Sequence, residues 1–175
     1  GGSAVALATG MVPLANGGDF GGSLRNPGNF NNIVGLRPAP GRVPRQNKMG
    51  WAGLSVPGPL ARTVEDERFF LSVAAGPDAR CPIAIQQPGS HFDRPLQRNF
   101  KGVKVAWSKD LGLFQVDAAV TKVLEAQRPT LEALGCTVEE THPDFSGADA
   151  AYKTLRAWYF TSRHTENLKQ HRHLY

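Results

Sequence analysis

The chain holds 175 residues, 41% of them apolar and 20% charged, with a formal net charge of +5 at pH 7. That length and balance describe about one folded domain able to bury a core, and no apolar run approaches the roughly 20 residues of a membrane-spanning helix, so no membrane partner is expected. The basic excess is scattered: Arg42, Arg45 and Lys48 are the nearest thing to a cluster, and no aromatic residues interleave them, which argues against direct nucleic-acid binding.

In chain order, residues 3–9 suit a short helix with Ser3 near its start, and Met11-Val12-Pro13-Leu14-Ala15 reads as a strand. Glycine and proline then crowd the first third and predict turns and short elements. A short helix fits 28–34, because Pro27 has a φ suited to a first helical turn. Leu36 to Pro59 reads as loop with brief strands. Thr63 caps a helix over about 64–75, with Asp66 at the capping-box position, Gly76 as the stop and Phe69, Phe70 and Val73 as its apolar face. Residues 77–101 have no clear period and form a long surface connection.

A β-α-β pattern follows. Val103–Trp107 alternates as a strand; Asp117 opens a helix with Val120, Val123, Leu124, Leu131 and Leu134 on one face, ended by Gly135; Cys136–Glu139 is the next strand. Pro129 falls inside that helix and predicts a kink or break there. Residues 147–168 are helical in pattern, and Tyr152, Leu155, Trp158, Tyr159 and Phe160 gather into an aromatic patch, read as core with an acyl-pocket lining as the rarer alternative. Cys81 and Cys136 show neither metal spacing nor a disulfide framework and read as reduced thiols of a cytoplasmic protein. His164, His171 and His173 lack the spacing of a metal site and read as a solvated tail.

The run Gly17-Gly18-Asp19-Phe20-Gly21-Gly22-Ser23-Leu24-Arg25-Asn26-Pro27 carries the chemistry. It sets one serine at the end of a glycine-rich turn, where successive N–H groups can form an anion-binding nest. A hydroxyl beside such donors suits acyl transfer, the hydroxyl attacking a carbonyl while the donors hold the oxyanion. The bland alternative is a structural serine in a turn. A Ser–His–Asp arrangement is disfavoured, because Ser23 lacks a G-x-S-x-G elbow.

This run resembles the closing D-x-G-G-S-[hydrophobic]-R-x-P pattern of the amidase signature family. Gly1–Gly10 resembles the end of that family's glycine- and serine-rich block. Val34-Gly35-Leu36-Arg37-Pro38 with Gly41-Arg42-Val43 resembles its V-G-L-K-P…G-R-V segment, and Gly58–Asp66 its G-P-[LM]-x-R-[TS]-V-x-D element. The close resemblance covers roughly 1–80. It implies an α/β fold, the central part of a large mixed sheet flanked by helices and here incomplete. The chain is then a single partial domain: the motif core at 1–80, a connecting loop at 81–101, and a β-α-β unit with a C-terminal helix at 102–175.

The resemblance further implies a Ser–Ser–Lys triad with Ser23 as nucleophile; the second serine and the lysine would lie upstream of Gly1. Backbone N–H groups of Phe20, Gly21, Gly22 and Ser23 would hold the oxyanion, and Asp19 and Arg25 would brace the loop, with a surface ion pair as the plainer reading of Arg25. No metal or organic cofactor is implied. The expected reaction is hydrolysis of a small-molecule carboxylic amide to acid and ammonia. The alternatives are the role of an amidotransferase A-type subunit in tRNA-dependent transamidation, or a non-catalytic fragment whose nest merely binds an anion. A homo-oligomer is left open.

Overall fold

The computed structural model describes residues 1–46 and 49–174. These fall into two compact units, the first Gly1–Leu96 and the second starting at Gln97. The break lies within the stretch that carries no sequence periodicity.

The first unit opens with helix α1 (Gly2–Ala8), strand β1 (Ala15–Asp19) and helix α2 (Arg25–Phe30). Strands β2 (Val34–Gly35) and β3 (Val56–Ala61), helix α3 (Val64–Ala74) and a 3-10 turn at Gly89–Phe92 complete it. The sheet order is β1-β3-β2, antiparallel throughout, with Ala15 opposite Leu60, Asp19 opposite Val56 and Gly35 opposite Leu60. β3 contains Pro57 and Pro59 and still sits centrally. It can do so because β2 meets it only at Leu60 and Ala61, leaving the proline stretch with a ladder partner on one side.

Leu7 of α1, Leu24 and Leu60 of β3 form the buried centre, with Val12, Ala15 and Ile33 packed around them. Arg62 clamps this layer from the end of β3, its Nη1 donating to the carbonyls of Leu7 at 3.1 Å and Val12 at 2.9 Å. Thr63 caps α3 as its sequence predicts, accepting from the Asp66 N–H at 3.1 Å.

The second unit holds β4 (Lys104–Trp107), α4 (Ala118–Glu125), α5 (Arg128–Ala133), β5 (Thr137–Glu140) and α6 (Ala148–His171), then a 3-10 turn at Arg172–Leu174. β4 and β5 pair in parallel, Lys104 opposite Thr137 through Trp107 opposite Glu140, so the expected β-α-β unit is present. Asp117 caps α4 through its side chain, accepting from the Ala119 N–H at 2.7 Å. The helix breaks at Ala126 and Gln127, just ahead of Pro129, which takes a first-turn position in α5 where its missing N–H costs nothing.

Several expectations are corrected. The strand read at 11–15 starts where that reading ends, at Ala15, and runs through Asn16-Gly17-Gly18; pairing with β3 overrides the weak strand propensity of those residues. The helix read at 28–34 lies at Arg25–Phe30, with Pro27 tolerated inside its first turn. The apolar face assigned to α3 is turned the other way. Phe69 and Val73 are exposed and Phe70 is half-buried, while Glu67, Leu71 and the capping Ala75 face inward. Of the aromatic patch on α6 only Tyr159 is buried; Leu155, Trp158 and Phe160 are exposed. Val120, Val123, Leu124 and Leu134 are likewise exposed.

Candidate functional site

Asp19 ends β1 with a fully buried side chain. An ionised carboxylate can be buried only when its oxygens are well satisfied, and here the loop wraps around it. The Gly22 N–H donates to Oδ1 at 2.8 Å and the Leu24 N–H to Oδ2 at 3.3 Å. Arg25 adds a two-pronged clasp, Nε to Oδ2 and Nη2 to Oδ1, each at 2.9 Å. Burial by itself pushes the Asp19 carboxyl up. The Arg25 hydrogen bonds and the two N–H donors more than reverse this and hold it well below the usual carboxylate range, so it stays ionised.

This carboxylate therefore folds residues 20–24 around itself, and the pleat of the turn decides what each residue does. Gly22 is buried with φ at +110°, a conformation that side chains rarely adopt; a Cβ there would sit 2.7 Å from Asn26 Nδ2. Leu24 points into the core with no exposed surface, and Ser23 between them faces outward. Leu24 fits because the surrounding backbone carries no side chains. A Cβ on Gly58 would lie 2.8 Å from Leu24 Cδ1, and one on Gly35 would lie 2.3 Å from the Leu24 carbonyl oxygen. The glycines of the V-G-L and G-P-L segments thus make room for the leucine next to the serine.

The structure brings together all the residues singled out in this run: Asp19, Phe20, Gly21, Gly22, Ser23 and Arg25. Among the described residues, the N–H groups of Gly21 and Ser23 and the Ser23 hydroxyl have no hydrogen-bond partner within the protein. The Gly22 N–H, expected in the oxyanion set, donates to Asp19 Oδ1 in this structure. Arg25 is more than a surface ion pair: its side chain is 53% exposed, yet its fork closes on a fully buried carboxylate.

One residue was recognised in sequence only as part of a motif. Arg37 Nη1 donates to the Asp19 main-chain carbonyl and lies 3.4 Å from Asp19 Oδ1, and Nη2 donates to the Leu54 carbonyl at 3.0 Å. The signal available for it was its fixed place after Val34-Gly35-Leu36. The basic trio has no common target: Arg42 bonds Gln87 and Arg45 bonds Ser55, while Lys48 lies outside the described residues. Cys81 is buried and Cys136 half-buried, and both are free thiols. Among the described residues no group of three or more His, Cys, Asp or Glu is arranged to hold a metal ion, and no helix is long and apolar enough to cross a membrane.

Comparison with known proteins gives a consistent picture. The family model described as Amidase matches residues 1–172. The A-type subunit of the glutamyl-tRNA(Gln) amidotransferase of Lactiplantibacillus plantarum is 39% identical over 154 residues, covering 87% of this chain and 32% of that protein. An acylamidase of Rhodococcus erythropolis is 36% identical over 147 residues, 82% of this chain and 30% of that one. The crystal structure of a bacterial aryl acylamidase of the amidase signature family superposes with a TM-score of 0.85 at 25% identity, over 97% of this chain and 36% of that chain. The chain therefore spans about a third of the length of the relatives it matches, and its α/β architecture is that of a segment of their fold.

Proposed function

This chain belongs to the amidase signature family, and from that membership we propose that it carries the nucleophile and oxyanion loop of an enzyme that hydrolyses carboxylic amides, with Ser23 as the attacking residue. The observation that carries the reading is the wrapping of the 20–24 loop around buried Asp19. It leaves the Ser23 hydroxyl on the open side beside the uncommitted N–H groups of Gly21 and Ser23.

In the proposed reaction Ser23 Oγ bonds to the amide carbonyl carbon while the carbonyl π pair moves onto oxygen. The N–H groups of Gly21 and Ser23 meet the resulting oxyanion, and the Gly22 N–H holds the loop's shape through Asp19. The hydroxyl proton leaves to a base and returns to the amide nitrogen as the C–N bond breaks. That frees ammonia and leaves an ester on Ser23, which water cleaves by the same route to release the acid. A serine hydroxyl is a weak nucleophile without a base. Among the described residues no hydrogen bond to Ser23 Oγ is formed; the family resemblance assigns the role of base to a lysine acting through a second serine.

The test is covalent. A fluorophosphonate probe should label the full-length protein at Ser23, as located by peptide mass spectrometry, and Ser23→Ala should remove the label. Undiminished labelling of the alanine variant refutes the assignment, and an unlabelled wild type favours a loop that only binds anions. The 39% identity to the amidotransferase component favours a second reading of the same chemistry, in which the ammonia released passes to an acylated tRNA held by partner subunits. Stable association with such partners, and ammonia release that depends on them, would distinguish it from a free-standing amidase.

A further inference from the structure

We propose that Asn26 is a specificity-determining residue of the serine site: its side-chain carboxamide hydrogen-bonds a polar substituent next to the scissile carbonyl, on the acyl part of the amide. This rests on the Ser23 reading above. The main-chain N–H of Asn26 donates to the Gly22 carbonyl at 2.7 Å, closing a helical turn over residues 22–26. Within such a turn, side chains three residues apart are neighbours, with about 5–6 Å between their Cβ atoms, which sets Asn26 beside Ser23. Both residues are exposed.

The turn also fixes where the carboxamide lies. A helical side chain leans back over the preceding turn, and that of Asn26 leans onto Gly22. A Cβ on Gly22 would lie 2.7 Å from Asn26 Nδ2, 3.0 Å from Cγ and 3.1 Å from Oδ1, so the amide group fills the space that a side chain at position 22 would take. Its Nδ2 and Oδ1 have no hydrogen-bond partner among the described residues. The neighbouring side chains differ in this. Asn31 turns its Nδ2 back to the Pro27 carbonyl at 2.8 Å, and the Arg25 fork closes on Asp19. Nor does Asn26 cap α2, whose N-cap position is held by Leu24.

Reach and chemistry define the group recognised. A substituent on the carbon next to the attacked carbonyl, plus one hydrogen bond of about 2.9 Å, spans the separation from Ser23 to Asn26. The proposed reaction releases ammonia, so the nitrogen side carries nothing to recognise and the substituent belongs to the acyl side. A carboxamide offers two donors and an acceptor without net charge. It suits a hydroxyl or an acylamino group. An apolar substituent in the same place would cover the carboxamide and leave it unpaired, which costs binding that the polar substituent keeps. The substrates favoured are carboxylic amides with a neutral hydrogen-bonding group on the α-carbon.

The experiment uses the full-length protein and three primary amides of nearly one shape: lactamide, isobutyramide and alaninamide. They place a hydroxyl, a methyl and an ammonium group on the same carbon, and ammonia release gives kcat/KM for each. One neutral hydrogen bond predicts a preference of about 3–10-fold for lactamide over isobutyramide in the wild type. Asn26→Leu should bring that ratio close to one. Asn26→Asp keeps the shape and adds a negative charge, so it should raise alaninamide against isobutyramide by about tenfold. A residue that only shapes the turn changes all three rates together and leaves their ratios as they were. Unaltered ratios in either variant that retains turnover, or a wild type that does not separate lactamide from isobutyramide, overturn the proposal; fluorophosphonate labelling at Ser23 then still keeps the nucleophile in place. A wild type unlabelled at Ser23 overturns both.

Discussion

Glu67 is the one buried ionisable side chain in the first unit, among the described residues, with nothing to satisfy it. It lies near the start of α3, on the face turned to β3, and is 3% exposed. Neither of its carboxylate oxygens has a hydrogen-bond partner among the described residues. Burial pushes its carboxyl up from 4.5 to about 7, and the nearby Ala61 backbone N–H offsets only part of this.

The sign of the effect follows from proton binding. Between pH 4.5 and about 7 the folded chain holds a proton on Glu67 that the unfolded chain has given up. Stability therefore falls as pH rises through that window and levels off above it. A shift of this size corresponds to roughly 3 kcal/mol at about 1.4 kcal/mol per pKa unit, all of it lost by about pH 8.5 and little of it at about pH 4.5. Glu67→Gln keeps the shape of the protonated acid without the titration. The comparison is between thermal unfolding of wild type and Glu67→Gln at intervals from about pH 4.5 to 9. The two should melt close together at the acid end, and at the alkaline end the variant should melt roughly 6–12 °C higher, at about 2–4 °C per kcal/mol for a domain of this size. Because every other titrating group is common to both proteins, the difference curve isolates Glu67. Parallel curves across the whole range would refute the reasoning, and so would a midpoint near the ordinary glutamate value.

Two further outcomes follow from the packing around the serine. Gly35→Ala should lower stability by about 1–3 kcal/mol and cut Ser23 labelling with it, because the added Cβ meets the Leu24 carbonyl oxygen at 2.3 Å and a backbone atom cannot step aside; an unchanged melting temperature with full labelling contradicts this. The 175-residue chain expressed by itself should hydrolyse simple amides at no more than a trace of the rate of the full-length protein, since no base among the described residues is hydrogen-bonded to Ser23. Comparable kcat/KM values for the two would place a base inside this chain, with the five histidines first to be tested.

The serine loop was legible in the sequence because its information is local. Asp19, Gly22, Leu24 and Arg25 lie within seven consecutive residues, and the bonds that shape the loop run among them. The caps at Thr63 and Asp117 were legible for the same reason: each acts on an N–H two or three residues on. The strand at Ala15–Asp19 was placed too early because its strand character comes from β3, some forty residues away, and not from its own composition. The helix faces were misjudged differently. Spacing identifies an apolar stripe but not its cover, and within the described residues Phe69 and Val73 on α3 and Val120 and Val123 on α4 stay exposed.

Arg37 and Glu67 mark the two ways in which a charged residue escapes a reading by pattern. Arg37 acts across eighteen residues on a main-chain oxygen, and no spacing rule encodes a carbonyl as a partner. Glu67 follows Glu65 and Asp66 in the first turn of α3, where acidic residues suit the helix N-terminus and read as a solvated face. Only the tertiary contact of that turn with β3 decides that the third acid points inward. The two charges also differ in what their burial does. At Asp19 a buried charge is met by two arginines and two N–H groups, and the result is a defined loop. At Glu67 a buried charge meets no hydrogen-bond partner among the described residues, and the result is a stability that depends on pH. The first unit thus carries one carboxylate whose ionisation builds the candidate site and one whose ionisation opposes the fold beneath it. Between about pH 5 and 9 Asp19 stays charged, so the fall in stability that Glu67→Gln removes over that range is assigned to Glu67 and not to loss of the serine loop's clasp.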